Sequence, residues 1–155
     1  MVRALTAAAA LLGVGASLFA AKVPRKSPEL VIAAHDGGQL RLSELRGKVV
    51  VVEVLLTTCP HCQHSAEMLN RMQTRYGARG FQAIGVGFNE SDKSQIENFV
   101  RTFGVKYPVG YVPRETIYKY LQADPATGIH VPNLVFIDRR GVIRHQSLPQ
   151  GDSET

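Results

Sequence analysis

Residues 49–62 of the chain, VVVVEVLLTTCPHC, join a run of apolar residues to a pair of cysteines. A nearly continuous apolar run predicts a strand that is buried on both faces, as in a parallel or mixed sheet covered by helices. Pro60 suits the first position of a helix, because its fixed φ fits there and its missing N–H would have no partner anyway. The stretch therefore predicts a buried strand that leads directly into a helix at the cysteines.

The two cysteines are the only ones in the sequence and lie three positions apart, which predicts a redox or metal-binding pair. As the helix N-cap, Cys59 would place its sulfur at the positive end of the helix dipole and beside His61. The dipole and an imidazolium at His61 would both favour the thiolate of Cys59 over its thiol. Cys62 would lie one turn later on the same face, within reach of a Cys59–Cys62 disulfide. We expect Cys59 to be the nucleophile and Cys62 to be the resolving cysteine.

Glu53 is the one charged residue in the apolar run. An unpaired ionised carboxylate is costly to bury, so such a group becomes neutral or finds a partner. We expect Glu53 to exchange a proton with Cys62 during disulfide exchange. The alternative is a structural carboxylate at the strand edge that pairs with a Lys or Arg.

The composition of the whole chain is that of one globular domain. A length of 155 residues allows a sizeable core, and the apolar fraction of 45% with a charged fraction of 20% excludes a disordered chain. The net charge is +5, but the Lys and Arg residues are scattered along the sequence. We therefore expect a basic soluble surface and no nucleic-acid partner.

Residues 1–21 have the pattern of an export signal or an N-terminal membrane anchor. Arg3 is followed by an apolar segment over residues 4–18 and by two alanines. About 18 apolar residues are at the lower limit for spanning a bilayer, so cleavage and retention as an anchor both stay open. Residues 22–29 predict a linker and residues 30–155 a single domain. Both export routes predict a periplasmic or otherwise extracytoplasmic location, where a disulfide can persist.

Periodicity and turn signals predict the remaining elements. They are an N-terminal β-hairpin over 30–42, helices over 60–76, 92–103 and 114–121, a strand over 81–88, an extended segment over 107–109, and a β-hairpin over 133–147. This order predicts an α/β fold in which a mixed sheet is flanked by helices on both faces.

Three features in this order resemble the thioredoxin superfamily, and within it the exported TlpA/ResA-like thiol-disulfide oxidoreductases. They are LRLSELRGKVVVVEV at residues 40–54, Cys-Pro-His-Cys at residues 59–62, and Val131-Pro132 before NLVFID. The Cys-Pro-His-Cys motif is also similar to that of the periplasmic disulfide oxidase DsbA. The resemblance implies a thioredoxin-like fold in which a cis Pro132 faces the cysteines.

The same resemblance implies the rest of the site and its partners. Val131, Pro132 and Pro60 would contact the substrate, and His61 would tune Cys59. Neither a metal nor an organic cofactor is implied. The expected partners are cysteine-containing exported proteins and a membrane redox partner. The direction of electron flow stays open, because Pro60-His61 favours an oxidant whereas the TlpA/ResA-like framework favours a reductant of apocytochrome c-type or other exported proteins.

The sequence departs from that family at three places. Thr58 replaces the tryptophan usual before the first cysteine, and Ser65 stands where an acidic residue often follows the second. The sequence after Gly151 has no pattern for the family's terminal helix, so we expect either that the helix is missing or that the sequence is a truncated version.

Three other functions remain as alternatives, and one of them is an interaction module whose cysteine pair is never reversibly reduced or oxidised. A copper-binding SCO-like carrier would hold Cu(I) with two sulfurs and His61 or His64, although that family uses a CxxxC spacing. A peroxiredoxin is less favoured, because Leu56 stands where that family has a threonine three residues before its reactive cysteine.

Overall fold

The computed structural model describes residues 21–88 and 93–148. Within these ranges the strands form one mixed sheet in the order β1-β8-β7-β4-β5-β6-β2-β3. The strands are β1 (Arg25–Lys26), β2 (Val31–Ala34), β3 (Gln39–Arg41), β4 (Val49–Leu55), β5 (Phe81–Gly87), β6 (Val109–Tyr111), β7 (Asn133–Ile137) and β8 (Val142–Gln146). The α-helices are α1 (Pro60–Tyr76), α2 (Lys93–Thr102) and α3 (Arg114–Leu121), and two short 3-10 helices cover Leu42–Leu45 and Gly77–Arg79.

Strand β4 occupies the middle of the sheet. It pairs in parallel with β5, from Val49 opposite Phe81 to Leu55 opposite Gly87, and antiparallel with β7 on its other side. Residues 50–55 are all buried, because helices cover both faces of the sheet at this point. The prediction of a strand buried on both faces is confirmed.

The alternating side chains of β4 divide the core into two layers. One layer packs against α3 and contains Val50, Val52, Val54, Ile84, Val86, Ile117 and Leu121. The other packs against α1 and α2 and contains Val51, Leu55, Cys62, Ala66, Leu69, Ile96 and Phe99. The two layers confirm the predicted mixed sheet with helices on both faces.

Both predicted hairpins are present. The N-terminal strand pair, β2 with β3, lies at one edge of the sheet beside β6, and the β7–β8 pair lies towards the other edge. No helix in the described ranges is long and apolar enough to cross a membrane. The predicted signal or anchor over 1–21 lies outside those ranges except for its last residue, and the expected absence of a terminal helix also concerns residues outside them.

The segment 22–29 is part of the folded domain, so its prediction as a linker is corrected. Strand β1 pairs antiparallel with β8, with Arg25 opposite Ile143. The Arg25 guanidinium donates to the carbonyl oxygen of Tyr120 at 3.0 Å and to Oε1 of Gln146 at 2.7 Å. A two-residue edge strand has no periodicity that a sequence pattern could detect, and its pairing depends on a strand more than a hundred residues later.

Candidate active site

The two cysteines lie where the central strand turns into the first helix. Cys59 is the N-cap of α1, with φ −81° and ψ 120°, and Pro60 is the first helical residue. The N–H of Cys59 donates to the carbonyl oxygen of Leu56 at 3.1 Å, which closes the turn after β4. Cys59 is half-buried, whereas Cys62 is completely buried, and both are free thiols. Only the first sulfur can therefore meet a partner protein directly.

The loop before β7 lies against the first cysteine. The peptide bond between Val131 and Pro132 is cis, which is the geometry that the family resemblance implied. The thiol of Cys59 donates to the carbonyl oxygen of Val131 at 3.8 Å, a contact between residues 72 positions apart. Strand β7 pairs directly with β4, and this pairing brings the end of its preceding loop to the start of α1. Val131 and Pro132 are half-buried, so they border the exposed side of Cys59.

The buried thiol of Cys62 resists ionisation. Burial raises the pKa of Cys62 far above its ordinary value. The hydrogen bond between the Cys62 and Cys59 side chains, and the negative charges of Cys59 and Glu53, raise it further. Cys62 is therefore a neutral thiol near pH 7, and it needs a base before it can act as a nucleophile.

Glu53 is the buried carboxyl group that could serve as the base for Cys62. It lies on β4 between Gly85 of β5 and Leu134 of β7, and its side chain is completely buried. Burial raises the pKa of Glu53 from 4.5 to about 7, and the hydroxyl groups of Ser65 and Tyr107 beside the carboxyl oppose part of that rise. Glu53 lies between Val51 and Leu55 on the face of β4 that packs against Cys62. A group with this pKa can accept a proton and return it near pH 7.

The structure surrounds Glu53 with neutral groups instead of a cation. The hydroxyl of Tyr107 donates to Oε2 at 3.3 Å, and both side chains are buried. Ser65 lies close enough to lower the pKa of the carboxyl, although its Oγ and the carboxyl Oε1 form no hydrogen bond of standard length and angle within the described residues. The ion pairs of the described part of the chain include none to Glu53.

His61 and Pro60 are exposed on the first turn of α1, next to Cys59. His64 is also exposed, and its Nδ1 lies 3.9 Å from Oε2 of Glu67. Within residues 21–88 and 93–148 no group of three His, Cys, Asp or Glu side chains is arranged to hold a metal ion. The tuning role of His61 stays a prediction.

Sequence reasoning missed two members of the site, Ser65 and Tyr107. Ser65 follows Cys62 by three residues on α1, so helical spacing alone places the two on one face. That spacing was a usable signal. Tyr107 had no such signal, because it lies 54 positions from Glu53 and reaches it only through the loop that leads into β6.

A buried acid beneath a dithiol at a helix start, with a cis proline beside it, defines a thioredoxin-like protein. The chain belongs to the AhpC/TSA family, whose model matches residues 23–146. The thiol-disulfide oxidoreductase ResA of Bacillus thuringiensis (strain Al Hakam) is 24% identical over 133 residues, which cover 86% of this chain and 73% of that protein. The ResA of Halalkalibacterium halodurans is 27% identical over 124 residues, or 79% of this chain and 66% of that one.

A solved structure of a related protein supports the same family relationship. The thiol:disulfide interchange protein of the thioredoxin family from Chlorobium tepidum TLS is 25% identical, with a TM-score of 0.70, and the match covers 79% of this chain and 84% of that one. The resemblance to ResA-like proteins is confirmed, and so is the thioredoxin-like fold. The protein is a thiol-disulfide oxidoreductase similar to ResA.

Proposed function

We propose that the protein acts outside the cytoplasm and exchanges its Cys59–Cys62 dithiol/disulfide with cysteines of exported proteins. The observation that carries this proposal is that three groups of the site lie at increasing depth below the protein surface. Cys59 is half-buried and accessible, Cys62 is sealed behind it, and Glu53 lies in the sheet beneath. This order suits a reaction in which one sulfur meets the substrate and the other completes the exchange.

In the reducing direction, the Cys59 thiolate attacks a disulfide of the substrate. The substrate S–S bond breaks, a mixed disulfide forms at Cys59, and one substrate sulfur leaves as a thiolate. Cys62 then loses its proton to the Glu53 carboxylate and attacks the Cys59 sulfur, which releases the second substrate sulfur and forms the Cys59–Cys62 disulfide. Two electrons pass to the substrate, and the reverse sequence oxidises it.

Glu53 is needed because the Cys62 thiol is buried away from water. The pKa of Cys62 lies far above neutrality, so few molecules would carry the attacking thiolate without a nearby base. Glu53 has a pKa of about 7 and lies close to Cys62 inside the same core layer. It would take the proton as Cys62 attacks and return it when the disulfide is reduced again.

The substrate would lie across the exposed edge of Cys59. Val131 and Pro132 border that edge on one side and Pro60 with His61 on the other, and all four keep accessible surface. An imidazolium at His61 would stabilise a Cys59 thiolate and would make the protein more oxidising. A membrane redox partner would restore the dithiol or the disulfide after each cycle.

The direction of electron flow is tested by the reduction potential. The Pro60-His61 dipeptide supports an oxidant, and the similarity to ResA supports a reductant. A potential near about −120 mV places the protein with strong oxidants, whereas one near about −270 mV places it with reductants. Equilibration with glutathione or dithiothreitol, followed by alkylation of the free thiols, measures it.

Cys62→Ser in the native host tests the exchange itself. Without the resolving sulfur, mixed disulfides between Cys59 and its substrates should accumulate, and a reductant should cleave them. Mass spectrometry of the released proteins then identifies the substrates. Cys59→Ser is the matched control, because it removes the attacking sulfur and keeps the second cysteine. Equal trapping by both variants, or no trapping by Cys62→Ser, would contradict the mechanism. Labelling of Cys59 in intact cells by a membrane-impermeant maleimide tests the location.

A further inference from the structure

Basic residues that are scattered along the sequence meet at one end of the sheet. Three short connections lie together there, and we call them the three turns: residues 46–48, residues 77–80, which include the 3-10 helix Gly77–Arg79, and residues 138–141. The N–H of Gly47 donates to the carbonyl oxygen of Arg139 at 2.9 Å, and the Arg139 guanidinium donates to the carbonyl oxygen of Arg79 at 3.1 Å. The Arg46 guanidinium donates to the carbonyl oxygen of Arg140. These bonds join the three turns into one surface.

We call this surface, with the neighbouring residues of β1 and β8, the basic end. Its exposed cations are Lys26, Arg46, Lys48, Arg79, Arg139, Arg140 and Arg144. Asp138 is the only acidic residue within the three turns, β1 and β8, and it pairs with Arg144 at 2.7 Å and Arg140 at 3.8 Å. The whole chain has a net charge of only +5, so the positive charge is concentrated at this end. Lys and Arg residues that are far apart in the sequence are therefore close together in the fold.

The basic end lies opposite the cysteines. Strand β4 begins beside it at Val49, whose N–H donates to the carbonyl oxygen of Gly80, and runs away from it to Leu55, just before Cys59. Seven residues of strand span about 20 Å at about 3.3 Å per residue. A surface that covered the basic end would therefore leave Cys59 accessible on the far side of the domain.

The chain enters the domain at this same end. Strand β1 lines a groove with Arg46, Arg140 and Arg144, and the apolar segment over residues 4–18 precedes it in the sequence. Arg25 lies seven positions after residue 18, and a chain of that length reaches at most about 25 Å. An apolar segment held in a bilayer would keep the basic end near the lipid headgroups. Anionic headgroups attract Lys and Arg that lie within a Debye length of the surface.

We propose that the basic end docks on a membrane surface of anionic phospholipid, with Cys59 directed away from the lipid towards its protein substrates. This inference rests on the proposed extracytoplasmic location, and it adds an orientation that the exchange chemistry does not require. The positive charge attracts the headgroups, and an apolar segment 4–18 that stayed in the bilayer as the predicted anchor would hold the domain within reach of them.

Lysine labelling of the full chain on vesicles tests the docking. The protein is bound to vesicles of phosphatidylcholine alone or with about 30% phosphatidylglycerol, and an amine-reactive reagent is followed by mass spectrometry. Lys26 and Lys48 should react at least about threefold more slowly on the anionic vesicles, and about 0.5 M NaCl should remove the difference. Lys93, which begins α2 at the cysteine end, should react equally on both and serves as the control within the chain.

Paired charge variants identify the surface. Arg79→Gln with Arg140→Gln should abolish the protection of Lys26 and Lys48. Arg71→Gln with Arg101→Gln removes the same charge from α1 and α2 and should leave that protection intact.

Three results would overturn the docking: equal labelling on both kinds of vesicle, no binding to anionic vesicles, or tighter binding to a DNA oligonucleotide than to anionic vesicles at the same salt concentration. Its failure is distinct from failure of the proposed exchange chemistry. Trapping by Cys62→Ser reports on the sulfurs alone, and lysine protection needs no working cysteine.

Discussion

Replacement of Glu53 by Gln should change how the stability of the reduced protein depends on pH. Glu53 is fully buried, and its pKa rises from 4.5 to about 7 on folding. Glutamine has nearly the same shape, stays neutral at every pH, and can still accept the hydrogen bond from Tyr107. The substitution therefore removes the titration and keeps most of the packing.

The magnitude follows from the two pKa values. One pKa unit corresponds to about 1.4 kcal/mol, so the rise from 4.5 to about 7 is worth about 3 kcal/mol. The folded state binds the proton more tightly than the unfolded state. The stabilisation from protonated Glu53 is therefore fully present below about pH 4.5 and is lost as the pH rises through about 7.

The assay is urea unfolding of wild type and Glu53→Gln between about pH 4 and about pH 8, with a phosphine reductant to keep both thiols reduced. The free energy of unfolding of wild type, minus that of the variant, should fall by about 3 kcal/mol across this range. Subtraction cancels the titration of other groups. Glu115→Gln, at an exposed carboxyl on α3, makes the same chemical change at the surface and is the matched control.

A constant difference between wild type and Glu53→Gln would refute the reasoning. It would mean that the carboxyl titrates alike in the folded and unfolded chains. A proton exchange between Glu53 and Cys62 near pH 7 would then lose its physical basis.

Two further substitutions test the contacts around this core. Tyr107→Phe removes a donor to the ionised carboxylate, so it should raise the pKa of Glu53 above about 7 and move the pH-dependent loss of stability to higher pH in the same urea assay. Gly110→Ala should destabilise the protein by about 1–3 kcal/mol in urea at pH 7, because the new Cβ would meet the carbonyl oxygen of Ala33 on β2. Gly87→Ala is its control, since a Cβ there makes only ordinary contacts, and equal losses in the two variants would contradict this reading.

The local arrangement at the cysteines was predictable from the sequence. The apolar run of β4, Pro60 at the first helical position and Cys59 as the N-cap all depend on residues within one strand and one helical turn. The hairpins were predictable for the same reason, because alternation and turn residues act between neighbours. The family motifs added the position of Pro132 opposite the cysteines.

The tertiary structure decided everything that depends on the order of strands in the sheet. The contact of Tyr107 with Glu53 joins residues 54 positions apart, and the contact of Val131 with Cys59 joins residues 72 positions apart. The pairing of β1 with β8 and the gathering of cations at the basic end are of the same kind. A sequence pattern encodes which face of an element is apolar, because that depends on near neighbours. Only the packed sheet determines which distant faces meet, and with them the surroundings that set the pKa of Glu53.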